Sequence, residues 1–192
     1  MPDPNIPVLD FLSTRRSRPA KTLGLPVPSR DALMPILATA ARTPDHGKLE
    51  PWRFIVLERN ALLRISDLVP ACGMRLGRSS ADIDKAQAQY ATAHLAVAVI
   101  EVQKESPKIP AIEQTYSAGA VCLALLNTSL ASGWGANWLS GWPSHDTDFC
   151  ATALGLHQHE RVAGFIHLGT AQSVPPERPR PDMGAITTWV SE

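Results

Sequence analysis

The stretch from Pro110 to Ser132 constrains the fold of this chain most. It reads as one long helix, opened by a proline and ended by Gly133 and Gly135. It is apolar on most sides, above all from Ala118 to Ala131, so it has no single face suited to water. Such a helix belongs in a core or at a subunit interface. Its most apolar part is too short to span a bilayer and is interrupted by Asn127, Thr128 and Ser129. A second run, His94–Val102, contains Ala96-Val97-Ala98-Val99-Ile100 and is continuously apolar, as in a central strand covered on both faces.

The remaining pattern fills in around these two elements. Val8–Ser13 is a short helix. Ser29 is a plausible N-cap for a helix through Ala41, whose Leu33, Ile36, Leu37 and Ala40 recur at helical spacing. Pro51 precedes Trp52–Leu57, a β-branched and aromatic run that reads as a strand. Helices are expected over Asn60–Val69, Asp82–Tyr90 and Thr147–Leu154, and strands over Ala136–Leu139 and Val162–Leu168. Helices are longer and more numerous than strands and do not alternate with them, which favours an α+β sheet packed by helices over a doubly wound fold. Prolines gather at Pro19–Pro28 and at Pro175, Pro176, Pro179 and Pro181, marking extended arms. The 192 residues form one domain, with a core over about 9–170 and a proline-rich arm over 171–192.

Composition removes several classes of function. The 18 basic and 18 acidic residues cancel, so net charge gives no support for nucleic-acid binding. Arg15, Arg16, Arg18 and Lys21 form too short a run for a polyanion track and suit a single phosphate. The three cysteines, Cys72, Cys122 and Cys150, are far apart and follow no disulfide or zinc spacing, which favours a reducing cytoplasm. The N-terminus lacks the basic-then-apolar order of a secretion signal. No membrane segment, metal site or nucleic-acid partner is expected.

The chemistry-bearing residues fall in two early clusters. Arg15-Arg16-Ser17 ends the first helical segment, and two guanidinium groups with a hydroxyl can hold one phosphate through charge-assisted hydrogen bonds. Arg42-Thr43-Pro44-Asp45-His46 closes the next helix and runs on to Pro51-Trp52; its Arg and His can reach the polar edge of a planar heterocycle. Phosphate at one end and a ring system at the other describe a mononucleotide cofactor. No glycine-rich dinucleotide or phosphate-binding loop is present.

Three further segments complete an ordered set: Ser117-Ala118-Gly119-Ala120 with Asn127, Gly133-Trp134-Gly135-Ala136-Asn137-Trp138-Leu139-Ser140, and Gly164-Phe165-Ile166-His167-Leu168-Gly169-Thr170. In this order and spacing the chain resembles the FMN-dependent nitroreductase family, in particular the small bacterial NAD(P)H nitroreductases with a Pro-Asp-His motif. The resemblance runs from about Leu9 to Thr170. It implies an α+β, nitroreductase-like fold whose central, mostly antiparallel sheet is flanked by helices. It also implies a domain-swapped-type homodimer with one FMN in each of two interfacial sites.

The implied activity is ping-pong transfer of hydride from NADH or NADPH, through FMN, to nitroaromatic, quinone or similar acceptors. Position by position, the resemblance assigns Arg15, Arg16 and Ser17 to the ribityl phosphate and the pyrimidine side of the flavin. Arg42 and His46 would come from the partner subunit. Trp138, Leu139 and Ser140 would line the flavin's other side, and Thr128, Ser129, Leu130, Ala131, Ser132 and Gly133 would meet the nicotinamide. No catalytic acid or base is required, because the cofactor carries the redox chemistry. Glu50 and Leu139 depart from the family pattern, and Glu101–Pro110 leaves little room for an inserted lid.

Plainer readings exist for other residues. His157-Gln158-His159 is a solvated turn more readily than a metal site, since two histidines lack a third ligand. Trp134 and Trp142 suit ordinary packing. Arg178 and Arg180 belong to a solvated arm, and Glu113 suits the start of the long helix, where its charge meets the helix dipole.

Overall fold

The computed structural model describes residues 2–192. Its centre is β3 (Leu95–Val102), every residue of which is buried. On one side β3 pairs antiparallel with β2 (Trp52–Glu58), from Trp52 opposite Glu101 to Glu58 opposite Leu95. On the other it pairs with β5 (Glu160–Ala171), also antiparallel, with a register shift between Val99 and Ile100. The far half of β5 receives β4 (Gly135–Leu139), and its last residues receive the two-residue β1 (Leu23–Gly24). Every pairing is antiparallel, in agreement with the expected α+β architecture.

Strand alternation divides the interior into two cores. Ala96, Ala98, Ile100 and Phe165 face one way, onto α3 (Arg59–Arg75), α4 (Ser80–Ala91) and α6 (Thr147–Leu154). Leu95, Val97, Val99, Ile166 and Leu168 face the other, onto α2 (Arg30–Ala40) and α5 (Ala111–Ala131). A strand filled on both faces explains why its sequence shows no polar alternation. Ser29 caps α2 as expected, its hydroxyl accepting from the Ala32 amide at 3.2 Å.

The long helix has two characters. Ala118, Val121, Cys122, Leu125, Leu126 and Ser129 are buried beneath the sheet. Ile112, Tyr116 and Leu123 point outward and are 51%, 68% and 46% exposed. Another apolar surface lies on α1 (Ile6–Thr14), which buries no residue and exposes Ile6, Val8, Leu9 and Leu12.

Several boundaries differ from those expected. α3 continues beyond Val69 to Arg75, through Pro70. The proline forfeits one backbone bond, but Cys72 and Gly73 beyond it are buried, so tertiary packing carries the helix on. Pro35 is tolerated inside α2 in the same way. β5 extends past the expected Val162–Leu168 at both ends because it has partners along its whole length. The proline-rich segments contain local order, a 3₁₀ turn at Ala20–Thr22 and a short α7 (Met183–Ile186).

Two buried carboxylates fasten one end of the sheet. Glu160 on β5 takes a bidentate contact from Arg53 on β2 at 2.6 and 2.9 Å, reaching across the intervening β3. That hydrogen bonding pulls its pKa down from the usual 4.5 to about 2, against the opposing effect of burial. At Glu101, burial opposes ionisation, but hydrogen bonds from Arg161, Thr115 and Gln103 outweigh it and lower the pKa.

The Glu160 contribution to stability is therefore complete above its unfolded-state pKa and is lost as pH falls from about 4.5 to about 2. Glu160→Gln removes that contribution, so its unfolding free energy should fall less steeply than wild type across this interval, as measured by urea titrations at successive pH values. Leu125→Ala, which opens space in the α5 core, should lower stability by about 2–5 kcal/mol with an unchanged denaturant slope.

Candidate functional site

The site begins where α1 ends. The Arg15 amide donates to the Phe11 carbonyl at 2.8 Å, and its Nη2 donates to Ser17 Oγ at 3.2 Å. The next residue docks on the sheet: the Arg18 amide donates to the Ala136 carbonyl at 2.8 Å, and Asn137 Nδ2 donates to the Arg18 carbonyl at 2.6 Å. These bonds tie the residue after Arg15-Arg16-Ser17 to Ala136 and Asn137 of β4, the strand that continues through Trp138 and Leu139 to Ser140. Trp138 lies over Gly164, the space a side chain there would need.

Charge is concentrated at this junction and only partly neutralised. Arg15 Nε and Arg18 Nη1 are buried without a hydrogen-bond partner. Arg16 Nη1 donates to the Pro176 carbonyl and lies 3.5 Å from Glu177. His167, opposite Asn137 on β5, is 2% exposed and has both ring nitrogens unpaired. Burial drives its pKa down to about 4, so the ring is neutral at physiological pH.

Arg42 and His46 are placed elsewhere. Their loop is tacked to the start of α5, with His46 Nδ1 2.6 Å from Glu113 Oε2 and Ser117 Oγ donating to the Pro44 carbonyl at 3.2 Å. Glu113 thus meets a loop histidine, beyond the local helix-start role expected for it. The Asp45 carboxylate accepts from the Glu50 amide at 2.6 Å. Lys48 and Glu50 adopt positive φ of 56° and 48°, uncommon for residues with side chains. Among the described residues no hydrogen bond or ion pair joins Arg42 or His46 to Arg15–Ser17 or Trp138–Ser140 within one chain.

The sequence pattern of the Nitroreductase family matches residues 13–170. The chain belongs to that family. It is 33% identical over 164 residues to YdjA of Escherichia coli K12, provisionally named a NAD(P)H nitroreductase, covering 85% of this chain and 88% of YdjA. A provisionally named NAD(P)H nitroreductase of Haemophilus influenzae is 31% identical, over 84% of this chain and 87% of its own. Among solved structures, a nitroreductase-like family protein from Bacillus cereus superposes with a TM-score of 0.78 at 18% identity, covering 99% of this chain and 98% of the other. A provisionally named nitroreductase from Desulfovibrio desulfuricans, crystallised with FMN, gives 0.75 at 18% identity, covering 96% and 97%.

Within this nitroreductase fold the segment expected to meet nicotinamide is divided. Thr128 and Ser129 turn their hydroxyls back onto the Ala124 and Leu125 carbonyls, at 2.8 and 2.7 Å. Ser129 is wholly enclosed and offers a ligand no side-chain contact; Leu130 packs against the α5 core. Only Ala131, Ser132 and Gly133 are exposed, at the helix end, where Gly133 takes a φ of 86° to turn the chain into β4.

Sequence reasoning left three neighbours of this site unassigned. Arg18 stood in the basic run but its tie to β4 had no local signal. Asn137 was read only as part of a motif. Gln89 of α4 lies beside Gly141 with its amide nitrogen buried and unpaired, and nothing in its flanking residues marks it.

Two cavities lie away from the Arg15–Ser17 run. One of about 330 Å³ contains Arg42, Asp45, Lys48 and Glu50. A larger one, about 750 Å³, lies at the other end of β5, between Glu101, Gly119, His145 and Arg161, and includes none of the expected flavin residues. His157 borders it and stacks on His159 at 5.8 Å between ring centres. No group of three or more metal-ligating side chains gathers among the described residues.

Proposed function

We propose that this nitroreductase-family chain is an FMN-dependent oxidoreductase, working as a homodimer that uses NADH or NADPH to reduce nitroaromatics, quinones or similar acceptors. The observation that supports this reading is the Arg15–Ser17 run tied through Arg18 to Ala136 and Asn137 of β4, with guanidinium nitrogens of Arg15 and Arg18 buried and unpaired. Buried donors of fixed positive charge fit an anionic ligand, and a phosphate suits them in charge and geometry. The FMN-bound relative with the same fold adds independent support.

FMN, when bound, would supply the redox chemistry, ping-pong hydride transfer between nicotinamide and acceptor. Arg15, Arg16 and Ser17 hold the phosphate and the pyrimidine side. Trp138, Leu139 and Ser140 would line the ring's other side, and Arg42 and His46 would reach it from the partner subunit. A guanidinium near the pyrimidine edge stabilises negative charge arising there and keeps its own charge at any physiological pH. Exposed Ala131–Gly133 are the part of their segment able to meet a nicotinamide. The short connection Gln103–Pro110 carries no helix and leaves little room for an inserted lid, which suits planar oxidants of varied shape.

The homodimer draws support from the two uncovered apolar surfaces, on α1 and on α5. Cys72, Cys122 and Cys150 are all free thiols, in keeping with a cytoplasmic setting. No helix among the described residues is long and apolar enough to cross a membrane.

The purified protein should be yellow, should elute as a dimer and should bleach when NADPH is added without air. Arg15→Ala combined with Arg16→Ala should sharply weaken FMN binding, since each charge-assisted contact contributes roughly 1.5–3 kcal/mol; titration of the apo-protein measures this, and an unchanged affinity contradicts the assignment. Tyr116→Asp, placing charge on the outer face of α5, should shift sedimentation toward monomer.

A further inference from the structure

The segment expected to be a solvated tail folds back onto the cofactor site. Arg16 is bonded by the Pro176 carbonyl and lies 3.5 Å from Glu177 Oε2. Arg180 sits 2.8 Å from Glu177 Oε1 and donates to the Ser13 carbonyl at 3.2 Å, so the arm is fastened at Arg16 and again just before the arginine run. The Arg16 side chain is only 15% exposed beneath this contact, whereas Glu177 is 63% exposed. A guanidinium assigned to phosphate therefore already holds an anion supplied by the chain itself.

We propose that Glu177 is a specificity-determining residue, an internal competitor for the flavin phosphate that sets how strongly the site prefers phosphorylated over unphosphorylated flavin. The proposal rests on the reading of Arg16 as a phosphate ligand. Carboxylate and phosphate oxygens use the same guanidinium donors, and the two anions repel when brought side by side. Phosphate binding therefore has to release Glu177 from Arg16. Riboflavin has the same ring and sugar chain but no phosphate, and leaves the contact intact. Glu177 consequently disfavours FMN and leaves riboflavin unaffected.

Two features keep the competitor charged and the arm displaceable. The Arg178 amide donates to Glu177 Oε1 at 3.0 Å, and this bond, with Arg180 and Arg16 nearby, lowers the carboxyl pKa. The arm buries little: Val174, Met183 and Ile186 are 82%, 63% and 65% exposed, so few apolar contacts oppose its release.

The test is titration of the full-length apo-protein with FMN and, separately, with riboflavin. Glu177→Gln should tighten FMN about two- to fivefold, the range for an exposed ion pair, with riboflavin unmoved. The gain should vanish when Arg16→Ala is also present. If Arg16→Ala weakens FMN but Glu177→Gln leaves it unchanged or weaker, the competitor is overturned and the phosphate assignment stands. Equal shifts for both flavins also overturn it, since they report a general effect on the fold. If Arg16→Ala leaves FMN binding untouched, or the wild type takes up no FMN, the phosphate assignment fails and the competitor with it.

Discussion

Two hydrogen bonds on Arg18 hold the proposed site together. Its amide meets the Ala136 carbonyl, and its carbonyl meets the Asn137 side chain, joining segments separated by 119 positions in the sequence. Without them the arginine run would be the frayed end of a helix that buries no residue of its own. With them, the run is referred to β4, and β4 is fixed by five consecutive pairs to β5. The precision of a charged cluster thus derives from a sheet whose central strand is fully covered. Binding residues on mobile segments gain their geometry in this way, from the rigid element they are tied to.

The same economy is visible in α5, which serves both the interior and the outer surface. Its inner face completes the core beneath β3 and β5, while Ile112, Tyr116 and Leu123 stand outward. A helix apolar all round leaves its outer face uncovered within one chain, and the proposed dimer is one way to cover it. Of the sequence expectation of a core or interface helix, the structure shows the core face.

Legibility followed range. β3 and α5 were read within a residue or two because their apolar patterns are local and continuous. The Ser29 cap was legible for the same reason, since it joins residues three apart. α3 was cut short at Pro70 because its continuation depends on burial of Cys72 and Gly73, which local sequence does not display. Ser129 looked like part of a binding segment, but helical phase turns it to the core, and its hydroxyl satisfies itself on Leu125. The fold of the proline-rich arm onto Arg16, the His46–Glu113 pair and the placement of Gln89 are contacts between distant residues, carried by no motif.

The His46–Glu113 pair has a further consequence for the proposed dimer. It and the Ser117–Pro44 bond attach the Arg42–His46 loop to the first turns of α5, so the loop follows that helix as one body. The loop also spends conformational strain, with Lys48 and Glu50 in the left-handed region, to hold its shape beside α5. In the proposed homodimer, packing of the outer apolar face of α5 on a second copy would also fix the loop relative to that copy. Cofactor binding and association are then linked: a flavin held by both subunits favours the dimer, and the dimer preassembles the site. The physical root of that linkage is one 21-residue helix whose two faces carry different obligations.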